Sequence, residues 1–164
     1  QKKNKDEKVY DGMDIALCVL DRQKNILEFA GAQNPLYIIT RSHDELVSAS
    51  GAQTLKQVQG DTTLHEIKGD KQPIGHSQII SEPFARHTLQ VQKGDSIYLF
   101  TDGFADQFGG EKGKKYTYKR LKDILLEHHT KLMNEQKQML YHSFNDWKKD
   151  LEQVDDVCIF GVCV

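Results

Sequence analysis

Residues 96–110 read SIYLFTDGFADQFGG, and the passage from SIYLF into Thr-Asp-Gly decides how the chain folds. SIYLF is apolar at successive positions, which is the pattern of a strand covered on both sides inside a layered fold. It runs directly into Thr101, Asp102 and Gly103, so an acidic side chain stands where apolar packing ends. Two readings of that junction are open. Asp-Gly is a common turn dipeptide, and Asp102 can cap a short helix starting near Phe104. Alternatively, a carboxylate fixed at a rigid strand end beside a glycine is a grip for a hard cation.

Outward from this stretch, two more segments are apolar on both alternating faces. In 14–20, Ile15, Leu17 and Val19 alternate with Ala16, Cys18 and Leu20; in 157–164, Val157, Ile159 and Cys163 alternate with Cys158, Phe160, Val162 and Val164. Both read as interior strands. Further strands are expected at ILEFAGA (26–32), PLYIIT (35–40), ELVSA (45–49), TLHEI (63–67) and HTLQVQ (87–92), separated by turn-rich pieces,. Hairpin-like spacing predicts mainly antiparallel sheets. Helical periodicity starts only after residue 115, with Leu121, Ile124, Leu125 and His128 on one face and Leu140, Phe144, Trp147 and Leu151 on another,. Strands, then covering helices, then a closing strand give an α+β layered sandwich. The charged run QKKNKDEK (1–8) precedes a single domain over 9–164, as if the sequence were cut from a longer protein.

The bulk numbers remove several function classes. At 164 residues the chain can bury one core,. Lys plus Arg number 22 against 24 Asp plus Glu, for a net charge of −2, so no nucleic-acid surface is indicated,. No apolar run approaches the roughly 20 residues that span a bilayer, and the expected location is the cytoplasm, with any membrane anchor of the parent lying upstream. The three cysteines, Cys18, Cys158 and Cys163, sit in apolar runs and read as reduced core residues,.

A second acidic site, Asp155-Asp156, immediately precedes the terminal strand. If that strand and SIYLF are antiparallel neighbours, the end of one and the start of the other share a sheet edge, and Asp102 meets Asp155 or Asp156. Aspartates without Cys or His partners form an all-oxygen site suited to Mg²⁺ or Mn²⁺ and not to zinc. Such an ion points to hydrolysis of a phosphate ester by a metal-activated water. There is no HExxH, Walker loop, GxSxG elbow or cysteine-phosphatase loop,. The seven histidines are scattered; His128 and His129 read as a helix-face residue and its solvated neighbour.

Five segments in order resemble the metal-dependent protein phosphatase (PPM, PP2C-like) superfamily, and within it the bacterial SpoIIE-type domain. They are DGMDIALCVLD (11–21), ILEFAGAQNPLYII (26–39), GDKQPIG (69–75), KGDSIYLFTDGFADQFGG (93–110) and LEQVDDVCIFGV (151–162). The resemblance implies a four-layer αββα sandwich, incomplete at the N-terminus, and a binuclear Mn²⁺ or Mg²⁺ centre. Asp102 and Asp155 would be the catalytic metal ligands, with Asp156 as substitute if the register differs by one. Gly103 would allow close packing at the site, and Asp106 would accept a hydrogen bond in the outer shell. Lys112, Lys114 and Lys115, in GGEKGKKYTYK (109–119), would meet the substrate as a basic flap.

The implied activity is dephosphorylation of phosphoserine and phosphothreonine in a bacterial signalling protein. The implied substrate is a phosphoprotein such as an anti-sigma-factor antagonist, with a sensory module upstream in the parent. Two departures stand out. The family's first metal motif, Gly-Asp-x-x-Gly-His-Gly, belongs ahead of DGMDIALC and is not in this chain, so the chain alone is expected to be inactive. In AGAQNP, Gln33 takes the place of a His found in many relatives. A non-catalytic binding module of the same fold is the rival expectation. Strands apolar on both faces, if left uncovered, predict a homodimer.

Overall fold

The computed structural model describes residues 12–41, 54–75 and 82–164. In chain order the strands are β1 (Gly12–Met13), β2 (Ile15–Asp21), β3 (Ile26–Ala32), β4 (Leu36–Arg41), β5 (Thr54–Gln59), β6 (Thr62–Ile67), β7 (Ile74–Gly75), β8 (His87–Gln90) and β9 (Ser96–Phe100). The short helix α1 (Gly103–Asp106) follows, then the hairpin β10 (Phe108–Gly109) and β11 (Lys114–Lys115), helices α2 (Tyr118–His128) and α3 (Met133–Lys148), and the closing strand β12 (Ile159–Cys163). None of these helices is long and apolar enough to cross a membrane. The expected strand at 45–49 lies outside the described residues.

Five strands form an antiparallel sheet in the order β12-β9-β4-β6-β5, and three form a second sheet, β2-β3-β8. Alternation along β4 explains the layering. Leu36 and Ile38 point into a core shared with Leu27, Phe29 and Leu89 of the small sheet, while Tyr37 and Ile39 point toward Leu121 and Leu125 of α2 and Phe144 of α3. A strand that serves two cores must be apolar at every position, and Leu36 to Ile39 are each at most 1% exposed,. The helical side is rich in aromatic pairs, among them Tyr37–Phe100 at 4.6 Å and Phe104–Tyr116 edge-on at 5.0 Å. Such pairs contribute about 0.5–1.5 kcal/mol each beyond burial.

The architecture is therefore α+β, with a helical layer, a five-stranded layer and a three-stranded layer among the described residues. Several expectations are corrected. Among the described residues β2 and β12 stand at sheet edges, not in sheet interiors. On β2 only Ala16, Cys18 and Leu20 pack inward, while Leu17 and Val19 are more than half exposed. Cys158, just before β12, and Cys163, at its end, are exposed and not core. Leu151 lies past the end of α3 and is exposed.

His129 is no solvated neighbour. Its Nδ1 bonds the Leu126 carbonyl at 2.7 Å, which fixes Nδ1 as the donor. Its Nε2 then accepts from the Thr62 hydroxyl at 3.2 Å, tying the end of α2 to the sheet,.

Candidate active site

β9 and β12 are antiparallel neighbours, with Phe100 opposite Ile159 and Tyr98 opposite Gly161. The C-terminal end of β9 and the approach to β12 thus share one sheet edge, and Asp102 and Asp155-Asp156 are brought together there. Both β4 and β6 also present an end to this edge, since Leu36 pairs with Leu99 on one side and Ile67 on the other. Across the edge the order is Asp155-Asp156, Asp102, the Gln33–Pro35 turn, and the segment from Lys68.

The side chain of Asp102 speaks against the cap reading. It occupies the N-cap position of α1 but makes no capping hydrogen bond. Its carboxylate is exposed at the edge and has no hydrogen-bond or ion-pair partner among the described residues.

Three residues lock the Asp155-Asp156 segment against it. The Thr101 hydroxyl donates to the Asp156 carbonyl at 2.7 Å and accepts the Cys158 N–H at 2.9 Å. Gly103 lies so close that a Cβ there would sit 2.5 Å from the Asp156 carbonyl oxygen, so any side chain would force the two strand ends apart,. Gln107, fully buried, donates its amide to the Phe108 and Glu152 carbonyls at 3.0 and 2.9 Å and accepts the Val154 N–H at 3.3 Å. Within the pair, Asp155 Oδ1 accepts the Asp156 N–H at 2.7 Å.

Asp106, one turn beyond Asp102, is ion-paired with Lys115 at 3.0 Å. Lys115 sits on β11, so that pair anchors the β10–β11 hairpin to α1, whereas Lys112 and Lys114 remain exposed on the same hairpin. Tyr118, at the start of α2, packs on Phe100 at 6.2 Å. Burial, and then the charges of Asp102, Asp106 and Glu66, push its phenol up to about 12. It is a neutral hydrogen-bond donor at any physiological pH.

The donor chemistry at this edge fits a hard divalent cation, because Asp102, Asp155 and Asp156 offer only carboxylate oxygens and none is consumed by an ion pair,. The fit is incomplete in number. Among the described residues, no three His, Cys, Asp or Glu side chains stand close enough together to hold an ion.

A family model, Stage II sporulation protein E (SpoIIE), matches residues 2–164. The chain belongs to the SpoIIE family. Among solved structures, the SiaA-PP2C domain of Pseudomonas aeruginosa is 26% identical with a TM-score of 0.71, over 92% of this chain and 51% of that one. The phosphatase domain of the cell fate determinant SpoIIE from Bacillus subtilis is 15% identical with a TM-score of 0.51, over 92% of this chain and 57% of that one. This chain thus spans about half the length of the structures it matches, and its fold is that of a SpoIIE/PP2C-type phosphatase domain. No curated protein gave a match.

The SpoIIE resemblance drawn from the five motifs is borne out. Thr101, Gln107 and Tyr118 were not found by sequence. A threonine at a strand end, a glutamine after a one-turn helix and a tyrosine at a helix start carry no local signal, and their roles exist only once β9 meets β12.

Proposed function

We propose that this SpoIIE domain is the catalytic part of a metal-dependent phosphatase. Its substrates are phosphoserine and phosphothreonine in a bacterial phosphoprotein such as an anti-sigma-factor antagonist. The domain acts in the cytoplasm, as the output of a signalling protein with a sensory module. The observation that carries this reading is the β9–β12 pairing, which aligns Asp102 with Asp155-Asp156 at one sheet edge in a SpoIIE fold.

Asp102 and Asp155 would hold Mn²⁺ or Mg²⁺, with Asp156 as the alternative to Asp155. When bound, the ion supplies a Lewis acid and an acidified water. The protein's own contribution is orientation: Thr101, Gly103 and Gln107 fix the spacing of the carboxylates, and Asp106 accepts an outer hydrogen bond while paired to Lys115. With Lys115 held in this way, Lys112 and Lys114 are the hairpin lysines left to meet a phosphoprotein. Two strand-end carboxylates are too few for a binuclear centre, so the 164-residue chain alone is expected to be inactive.

The test is Mn²⁺-dependent hydrolysis of p-nitrophenyl phosphate by the 164-residue chain and by a protein extended to the length of the matched phosphatase domains. Activity is expected in the extended protein, falling at least about 100-fold on Asp102→Asn with the fold intact by circular dichroism. A folded but silent extended protein would favour the binding-module reading.

A further inference from the structure

A recess of about 270 Å³ opens at the same sheet edge as Asp102, lined by Gln33, Pro35, Glu66, Lys68, Gly69, Lys71 and Tyr118. Tyr118 is its wall on the side of β9, since its ring lies 6.2 Å from that of Phe100, two residues before Asp102. The recess is basic. Its one acidic residue, Glu66, is neutralised by Lys122 at 2.7 Å in a largely buried pair, whereas Lys68 and Lys71 are exposed and make no ion pair with a described residue.

The backbone that carries these lysines is fixed. Gln33 N–H donates to the Asp70 carbonyl and Asp70 N–H to the Gly31 carbonyl, both at 2.8 Å, which locks the 68–71 segment onto the β3–β4 turn. Gly69 is pressed against that turn, where a Cβ would lie 2.7 Å from the Asn34 carbonyl oxygen. Gln33 holds a left-handed backbone, φ 62°, in the same contact. An exposed lysine on a mobile loop attracts anions without geometry; two lysines flanking a clamped Gly-Asp offer a positioned cationic rim.

The strand order sets the distance to the candidate catalytic edge. β9 ends at Phe100, two residues before Asp102; β4 is its neighbour and β6, which ends beside Lys68, is the next strand. Two strand spacings of about 4.8 Å place the recess roughly 10 Å from Asp102. An extended peptide advances about 3.3 Å per residue, so that span corresponds to two or three residues.

Building on the proposed phosphatase reading, we propose that this recess is a substrate subsite. It binds an acidic side chain two or three residues from the phosphoserine, with Lys68 and Lys71 as the charge partners and Gln33 and Tyr118 as hydrogen-bond donors. The domain then selects phosphoproteins with Asp or Glu at that distance.

The test uses the extended protein and fluorescein-labelled phosphoserine peptides that differ only in carrying Glu or Ala two and three residues from the phosphoserine. Anisotropy without metal is expected to show the Glu peptides binding about tenfold tighter, a preference that falls below twofold in Lys68→Ser/Lys71→Ser. Lys71→Glu is expected to reverse it toward a peptide with Lys at the same positions. The same ratio should appear in kcat/KM with Mn²⁺.

A preference that survives in the double variant, or no preference in the wild type, overturns the subsite. Silence toward p-nitrophenyl phosphate overturns the phosphatase reading instead, and the metal-free binding arm reads the recess independently of that result.

Discussion

At the scale of single residues, the candidate site depends on side chains that never touch a substrate. Gln107 is the clearest. Its amide answers the Glu152 carbonyl and the Val154 N–H, the two backbone groups that lead into Asp155. Gln107→Ala leaves both unanswered near the core, at a cost of about 1–3 kcal/mol for each group that water cannot reach. The expected outcome is a urea midpoint lowered by an amount equivalent to about 2 kcal/mol and a several-fold higher Mn²⁺ requirement for half-maximal activity in the extended protein. Lost stability with an unchanged Mn²⁺ requirement would make Gln107 a packing residue only.

Asp102 itself was legible in the sequence, because an acid directly after a doubly apolar strand conflicts with burial and asks for a reason. Gln107 was not. Its importance comes from a segment more than forty residues away, and nothing local distinguishes it from an exposed glutamine.

At the scale of elements, the strands were readable where apolar residues run on both faces and the helices where apolar residues recur at three and four. β5 escaped because TLKQVQ alternates polar residues with few apolar ones. Its pairing with β6 is carried by the backbone register from Thr54 opposite Ile67 to Gln59 opposite Thr62. The edge positions of β2 and β12 escaped for another reason. A strand apolar on both faces states that it is fit to be covered, and says nothing of which elements cover it.

The β10–β11 hairpin shows how an element can be half anchored. Lys115 is held by Asp106 at 3.0 Å and lies over the Phe108 ring at 6.0 Å, while Lys112 and Lys114 project from its tip and second strand. Lys112→Ser/Lys114→Ser is expected to raise KM for a phosphoprotein about tenfold and to affect an aryl phosphate much less, because only the protein is large enough to reach the hairpin. Equal effects on the two substrates would remove the hairpin from substrate recognition.

At the scale of the whole molecule, the two cores differ in how they are closed. The helical core is capped by α2 and α3 along its length. The inter-sheet core is closed by a sheet whose outer face shows Leu17 at 58% and Val19 at 56% exposure, and Phe160 of β12 is 59% exposed. Apolar residues beside strand edges that no described residue pairs with favour association,. The 164-residue chain is expected to self-associate at micromolar concentration, with a light-scattering mass near twice the monomer's and an ANS signal that falls as it does so. A monodisperse monomer at those concentrations would exclude the homodimer.

The β9–β12 pairing also imposes an order in time. About fifty residues, including both long helices, separate Asp102 from Asp155. At a synthesis rate of about 5–20 residues per second, Asp102 is made roughly 3–10 s before its partner. During that interval the nascent β9 has one open flank and its acidic tip has no counterpart. The proposed competence for a divalent ion therefore cannot precede the synthesis of Asp155, and a chain halted within α3 holds Asp102 without the carboxylates proposed to act beside it.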